Sequence, residues 1–170
     1  MPVHKSRSAP RTSDAELETL GVRKIARILE RARKIPELKK KLPKAKRFHV
    51  HLSFVNTLQM KRLNFAWKAR KYATDILSFP TPKMFFAQGQ MGELIVCGDV
   101  LRRQAREQKH SAEAELEILL VHGVLHLLGL DHEKGDREAR VMKKWEEKLL
   151  SSKREAVWVS LISRAEKSIS

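Results

Sequence analysis

The chain has 170 residues, of which 35 are lysine or arginine and 20 are aspartate or glutamate, so its formal net charge at pH 7 is +15. This length suits one domain with a single core and one main site, and it excludes two independent catalytic modules. The charge excess predicts a polyanionic partner, with a charge that only aids solubility as the alternative, and it does not distinguish RNA from DNA or anionic lipid.

Cysteine content and apolar stretches bear on the compartment of the protein. Cys97 is the only cysteine, which excludes an intramolecular disulfide and a zinc site built from several cysteines. Residues 1–14 lack the continuous apolar run of a secretory signal. The longest apolar stretch, Leu116–Leu130, is shorter than the roughly 20 residues that cross a membrane, and two histidines interrupt it. We therefore expect a cytoplasmic protein without a membrane partner.

The N-terminal part divides into a tail and a helix. Residues 1–13 are basic and rich in serine and proline, a composition that does not repay the entropy of ordering, so we expect a disordered tail. From Asp14, which can act as the N-cap, apolar residues recur at helical spacing until Pro36 interrupts the pattern. The pattern predicts an amphipathic helix with a basic outer face.

The middle of the chain alternates between strand and helix patterns. Apolar and polar residues alternate over residues 47–54, which is the period of a half-buried strand. His49 and His51 lie on its polar face, and we interpret them as surface residues rather than ligands. A short helix is predicted over Leu58–Trp67 and a strand over Asp75–Phe79, ended by two prolines. A polar loop around residues 88–90 follows.

The C-terminal part of the chain predicts one more strand and three helices. The apolar run Glu93–Cys97 suits a central strand. Asp99 and Ser111 can cap the first two helices, Gly129 ends the second, and Asp136 begins the third. The third helix carries an apolar stripe formed by Met142, Trp145 and Leu149. The fold class is therefore α+β, a small mixed sheet packed with about five helices over residues 14–150, followed by an extension at 151–170.

Three histidines at 122–132 form a metal-ligand pattern. His122 and His126 are four residues apart, so both imidazoles project from the same helix face. Gly129 allows the chain to leave the helix sharply and bring His132 back to the same point. Three neutral imidazoles suit zinc and leave a fourth position open for water. The sequence therefore predicts one zinc ion held by His122, His126 and His132 on a zincin-like helix.

The same spacing occurs in the His-x-x-x-His-x-x-Gly-x-x-His motif of metzincin proteases. Those enzymes carry a glutamate directly after the first histidine as general base, whereas this chain has Gly123. A zinc protease is thus an alternative that lacks its usual proton carrier. Asp131 is a candidate general base or hydrogen-bond partner of a ligand, and capping of the following turn is its other possible role.

Residues 122–132 resemble the hallmark of the YbeY family of metal-dependent endoribonucleases, His-Gly-x-Leu-His-Leu-x-Gly-x-Asp-His, at every position. Two further segments are similar to the family pattern, namely Leu63-Asn64 with Thr74-Asp75-Ile76-Leu77-Ser78-Phe79-Pro80, and Gly92-Glu93-Leu94-Ile95-Val96. The resemblance covers residues 47–150. It implies cleavage of single-stranded RNA in ribosomal RNA maturation and in ribosome assembly or quality control, with ribosomal RNA or ribosomal particles as partners.

The resemblance also points to residues that would act on RNA. The family has an arginine at its RNA site where this chain has Lys68, which keeps the charge but loses the planar fork that binds a phosphate bidentately. It thus implies that Lys68 binds RNA and takes part in catalysis. Arg70 and Lys71 are interpreted as surface charges. Asn64 either hydrogen-bonds RNA or braces local backbone.

Two alternative functions belong to classes other than RNA cleavage. In the nuclease, zinc lowers the pKa of a bound water and stabilises charge on the phosphate. In the first alternative, a non-catalytic assembly factor binds ribosomal RNA precursors with its basic surface and uses zinc structurally. The second is the zinc protease, which has the helix and the spacing but lacks the base.

Overall fold

The computed structural model describes residues 12–150. The helices and strands of this range are, in chain order, α1 (Asp14–Arg33), α2 (Pro36–Lys39), β1 (His49–Val55), α3 (Thr57–Lys68), β2 (Ile76–Pro80), α4 (Lys83–Phe86), β3 (Gln90–Cys97), α5 (Gly98–Glu107), α6 (Ala112–Leu127) and α7 (Asp136–Leu149). Of the helices in that range, α2 and α4 have four residues each and the other five have ten or more. The predicted α+β class is confirmed.

The sheet has the order β1-β3-β2 and is mixed, as predicted. Strand β3 pairs in parallel with β1, where Leu52 faces Leu94, and antiparallel with β2, where Ser78 faces the same Leu94. The central strand β3 is longer than the predicted run because it begins directly after Gly89, whose φ of +98° turns the chain into the sheet. His49 and His51 are exposed on β1, which agrees with their interpretation as surface residues.

Apolar residues pack against both faces of the sheet, in a larger cluster on one face and a smaller cluster on the other. On one face Leu94 and Val96 of β3 pack into a large core with apolar residues of α1, α6 and α7. On the other face Ile95 and Cys97 pack into a smaller cluster that includes Met60 of α3. Because successive strand residues point to opposite faces, the run Leu94–Cys97 of β3 is apolar at every position and serves both clusters.

The helix α6 lies at the centre of the large core. Ser111 caps it as predicted, with its Oγ accepting a hydrogen bond from Ala114 N at 3.1 Å. Near its start Glu117 accepts hydrogen bonds from Lys24 Nζ at 2.6 Å and Arg31 at 3.2 Å, both on α1. A helix that is apolar on nearly all sides is stable only where other elements surround it. The apolar stripe of α7 is confirmed as buried, and it supplies part of that cover.

Two predicted caps are wrong. The N-cap of α1 is Ser13, which forms a capping box with Glu16, while Asp14 forms an ion pair with Arg102 of α5. Asp99 lies in the first turn of α5 and accepts a hydrogen bond from Thr57 Oγ1 at 3.0 Å instead of capping the helix. The helix α5 follows the last strand residue without a linker, so no capping position exists between them.

The predicted tails fall mostly outside the described residues. The last two residues of the tail predicted over 1–13 are described by the structure, where Ser13 caps α1 and the backbone oxygen of Thr12 accepts hydrogen bonds from Arg102. Residues 1–11 and the extension at 151–170 lie outside the structure's range. Within residues 12–150, the helices are too short or too polar to cross a membrane.

Gly123 allows α6 to pack closely on the sheet. A Cβ atom at this position would lie 2.7 Å from Leu94 Cδ2 and 3.0 Å from Ile76 Cδ1, both inside normal contact distance. Leu94 is fully buried, so its side chain has little room to move away. The absence of a side chain at residue 123 therefore sets the distance between the helix and β2 and β3.

We expect Gly123→Ala to lower the free energy of unfolding by about 1–3 kcal/mol, because it forces a methyl group into a packed core. The measurement is urea denaturation with a chelator present, so that metal binding does not contribute. Gly129→Ala is the comparison, because a Cβ atom there has open space and its cost comes from a φ of +83° alone. Gly129→Asn should be more stable than Gly129→Ala, because asparagine tolerates a positive φ. Gly123→Asn should be no more stable than Gly123→Ala. A Gly123→Ala variant as stable as the parent would contradict this account of the packing.

Candidate metal centre

The end of α6 brings the three histidines together. The helix finishes in a Schellman motif, in which Leu130 N donates to Leu125 O at 3.1 Å and Gly129 N donates to His126 O at 2.9 Å. The left-handed conformation of Gly129 turns the chain back toward the helix face that carries His122 and His126. His132 follows in a short 3₁₀ turn and completes the cluster. The structure therefore places all three predicted ligands at one point.

The geometry of the cluster fits a metal ion. One ligand nitrogen from each of the three imidazoles lies within 4.8 Å of the others, and the Nε2 atoms of His122 and His126 are 3.1 Å apart. A tetrahedral zinc with bonds of about 2.0–2.1 Å holds two nitrogen ligands roughly 3.3 Å apart. Two of the three imidazoles already have nearly that separation.

Burial and repulsion between neighbouring histidines keep His126 and His132 neutral. Burial, followed by the nearby charges of His122 and His132, lowers the pKa of His126 to about 3, and the cation of Lys68 acts in the same direction. Burial is also the largest cause that lowers the pKa of His132. At neutral pH both imidazoles thus carry free lone pairs, which is the form that binds a metal.

A buried carboxylate on α7 orients the first ligand. Glu146 Oε1 lies 2.7 Å from His122 Nδ1, and only 6% of Glu146 is exposed. When His122 donates Nδ1–H to this carboxylate, Nε2 is left as the atom that faces a metal. Sequence analysis did not identify Glu146. The available signal was an acidic residue on the apolar stripe of α7, four residues after Met142 and directly after Trp145.

The three histidines line a cavity of about 590 Å³ between α6, α7, β2 and the segment that follows α3. Its cationic lining residues are Lys68, Arg70, Arg103, Arg140 and Lys143, and its acidic ones are Asp75, Glu133 and Glu146. Glu133 lies between two of the cations, with its Oε1 at 3.2 Å from Arg70 and 3.8 Å from Lys68 Nζ. Arg70, which we interpreted as a surface charge, is thus part of the cavity wall, whereas Lys71 is not.

Asp131 performs the capping role that the sequence allowed. Its Oδ1 accepts a hydrogen bond from Glu133 N at 2.9 Å and so begins the short turn that carries His132. The carboxylate is also close enough to oppose the lowering of the His126 and His132 pKa values. Asp131 therefore positions the third histidine through the backbone.

Asn64 lies in the protein interior, below the cavity wall. Its side chain is 1% exposed, and Nδ2 donates a hydrogen bond to Tyr72 O at 2.8 Å. This is the bracing role that the sequence allowed as one of two, and the burial argues against a direct RNA contact by Asn64. The residue instead fixes the loop between α3 and β2.

Gly123 occupies the position at which metzincin proteases carry their general base, so its surroundings test the protease alternative. A side chain at this position would point toward Leu94 and Ile76, which are buried apolar residues of the sheet. A glutamate after His122 would therefore meet the core instead of a substrate at the histidine cluster. The packing explains why the general base of metzincins has no equivalent here.

The match to a family model and to two relatives supports the resemblance in the sequence. A family model described as "Endoribonuclease YbeY" matches residues 12–154. The chain is 40% identical over 93 residues to a protein of that name from Aquifex aeolicus, covering 55% of this chain and 62% of that protein. It is 40% identical over 111 residues to the one from Bdellovibrio bacteriovorus, covering 64% and 71%. A solution structure from Thermotoga maritima is similar at 28% identity and a TM-score of 0.46, covering 86% and 89% of the two chains.

We expect Glu146→Ala to weaken metal binding by about 10- to 100-fold, the usual effect of losing the hydrogen-bond partner of a ligating histidine. Glu146→Gln should lose less, because its amide oxygen still accepts a hydrogen bond from His122. Competition with a chromogenic zinc chelator measures the affinities. The matched control is Glu147→Ala, which removes an exposed carboxylate from the same helix. Equal affinity in Glu146→Ala and Glu147→Ala would show that the carboxylate does not orient His122.

Proposed function

Since this chain belongs to the YbeY endoribonuclease family, we propose that it is a zinc-dependent endoribonuclease that cleaves single-stranded RNA. Its proposed role is ribosomal RNA maturation and ribosome assembly or quality control, with ribosomal RNA or ribosomal particles as partners. The proposed location is the cytoplasm, where a single unpaired cysteine such as Cys97 stays reduced. The observation that carries the proposal is the convergence of three imidazoles in a cavity lined with cations.

The number of ligands favours a catalytic metal over a structural one. Among residues 12–150, the group of side chains that can hold a metal consists of His122, His126 and His132. Structural zinc sites are usually closed by four protein ligands, whereas catalytic sites use three and leave one position open. A zinc ion here would supply a Lewis acid that activates water and neutralises charge developing on a phosphate.

The cations of the cavity would hold the RNA backbone beside this position. Lys68 acts on His126 electrostatically, so its charge lies close to the metal ligands. Arg70 can bind a phosphate through two hydrogen bonds of its guanidinium, which compensates for the lysine at position 68. Both now face Glu133, and a phosphate entering the cavity would take over part of that interaction.

A proton acceptor is the remaining requirement. Asp131 is our candidate, because its carboxylate acts electrostatically on His126 and His132 and its cap hydrogen bond is made by Oδ1. The second carboxylate oxygen can take a proton from water without breaking that cap. Its nearness to the histidines, rather than its cap, is what supports a catalytic role.

The alternative function is a non-catalytic factor that binds ribosomal RNA precursors and uses zinc structurally. The lysine in place of the family arginine at position 68 favours it. A preparation stripped of metal that still binds precursor RNA and still supports ribosome assembly would select this alternative over the nuclease.

The first test combines metal analysis with cleavage of a ribosomal RNA precursor. We expect about one zinc per parental chain and metal-dependent cleavage, and we expect His126→Ala to lose most of both because two imidazoles form a poorer site than three. His51→Ala is the control, since His51 is an exposed histidine outside the cluster. Stoichiometric zinc retained by His126→Ala would overturn the site, and a zinc-loaded parent that cleaves no RNA would overturn the enzyme.

Replacement of Lys68 separates chemistry from metal binding. We expect Lys68→Ala to slow RNA cleavage roughly ten- to hundredfold, the value of a hydrogen bond to a charged group, with zinc content unchanged. Lys68→Arg should keep or raise the rate, because a guanidinium adds a second hydrogen bond to the phosphate. Lys71→Ala is the matched control, an exposed lysine on the same segment that does not line the cavity. Parental cleavage by Lys68→Ala would make Lys68 an ordinary surface charge.

A further inference from the structure

Tyr72 is an aromatic residue at the rim of the metal cavity that neither the core nor the metal site uses. It lines the cavity together with the three histidines and Lys68, yet 48% of the residue is exposed. The aromatic pairs found within residues 12–150 do not include it. A large aromatic side chain at the cavity is thus about half exposed to solvent.

Tyr72 is held through its backbone, and its side chain interacts with a cation of the cavity wall. Asn64, buried beneath the loop, donates a hydrogen bond to the backbone oxygen of Tyr72 at 2.8 Å. The Tyr72 side chain also interacts with the guanidinium of Arg70. Burial lowers the pKa of that guanidinium, but Tyr72 and Glu133 outweigh the effect, so the pKa stands above its ordinary value. Because its backbone is braced, Tyr72 adds no backbone ordering cost when a ligand stacks on its ring.

We propose that Tyr72 forms a binding subsite for one unpaired nucleobase of the RNA, next to the phosphate held by Lys68 and Arg70. A nucleotide presents a flat ring and an anion, and the cavity rim presents an aromatic ring beside two cations. Bases stack on aromatic side chains only when they are free of pairing, which would make this subsite a source of selectivity for single strands. The inference rests on the proposed function, because it requires RNA to enter the cavity.

The subsite also assigns Asn64 a role at a distance from the substrate. Asn64 is a positioning residue in this scheme, because it holds the backbone from which the Tyr72 ring extends. It links the buried end of α3 to the cavity rim without touching RNA.

The first part of the test measures affinity for short single-stranded RNA, with a chelator present to keep the strand intact. Tyr72→Ala and Tyr72→Leu should each bind about 5- to 150-fold more weakly, the range observed when one stacked base loses its aromatic partner. Tyr72→Phe should stay within about twofold of the parent, because the ring face remains. Phe85→Ala is the matched control, an aromatic residue 44% exposed that does not line the cavity.

The second part uses the RNA to identify stacking. Each oligonucleotide of a series carries one abasic position, and its affinity is measured with the parent and with Tyr72→Ala. At one position the abasic site should weaken the parent but not the Tyr72→Ala variant, since both changes remove the same contact. Additive losses at every position, or parental affinity in Tyr72→Ala, would overturn the subsite. If the parent cleaves RNA in either case, the proposed function stands, whereas a parent that neither binds nor cleaves RNA overturns both.

Discussion

The burial of α6 is the constraint on which the rest of the structure depends. This helix is apolar on nearly every side, so it is stable only where α1, α5, α7 and the sheet surround it together. Between Glu115 and Leu128, His122 and His126 are the two residues that are not buried. Beyond its first turn, the central helix is thus open to solvent only at its two potential metal ligands. The core that holds α6 in place also holds the two imidazoles, and this rigid support is what a site with fixed geometry needs.

The cationic and acidic side chains that line the cavity offset one another's charge. Burial and the neighbouring His122 keep His126 and His132 neutral, and the Lys68 cation adds to this effect on His126, while Glu146 gives His122 an acceptor for its second nitrogen. Glu133 partly neutralises Lys68 and Arg70 from the neighbouring turn. Without Glu133 and Glu146, the cavity would hold a concentrated positive charge beside the position of a divalent ion. The source of that charge is the set of cations that suit a phosphate.

Segments far from the histidines in sequence contribute to the same cavity. Asn64 braces the loop that ends at β2. At the start of that strand Asp75 accepts hydrogen bonds from Ile76 N at 2.7 Å and from Gln104 Nε2 at 3.1 Å. The antiparallel pairing of β2 with β3 then places the start of β2 beside the end of β3, below the histidines. These segments therefore support the cavity wall.

The sequence by itself determined the three strands, the five longer helices and the three predicted ligands, because all of these depend on local spacing. Histidines four residues apart share a helix face in any helix, and a glycine after the last turn returns the chain toward that face whatever surrounds it.

Only the tertiary structure determined which residues from distant parts of the chain contact and support these elements. Glu146 meets His122 only because α7 packs against α6. Asn64 serves the Tyr72 loop because α3 places it inside the protein, and Gly123 is needed because β3 lies directly beneath it. Such contacts join residues far apart in the chain, and their distances follow from how whole elements pack.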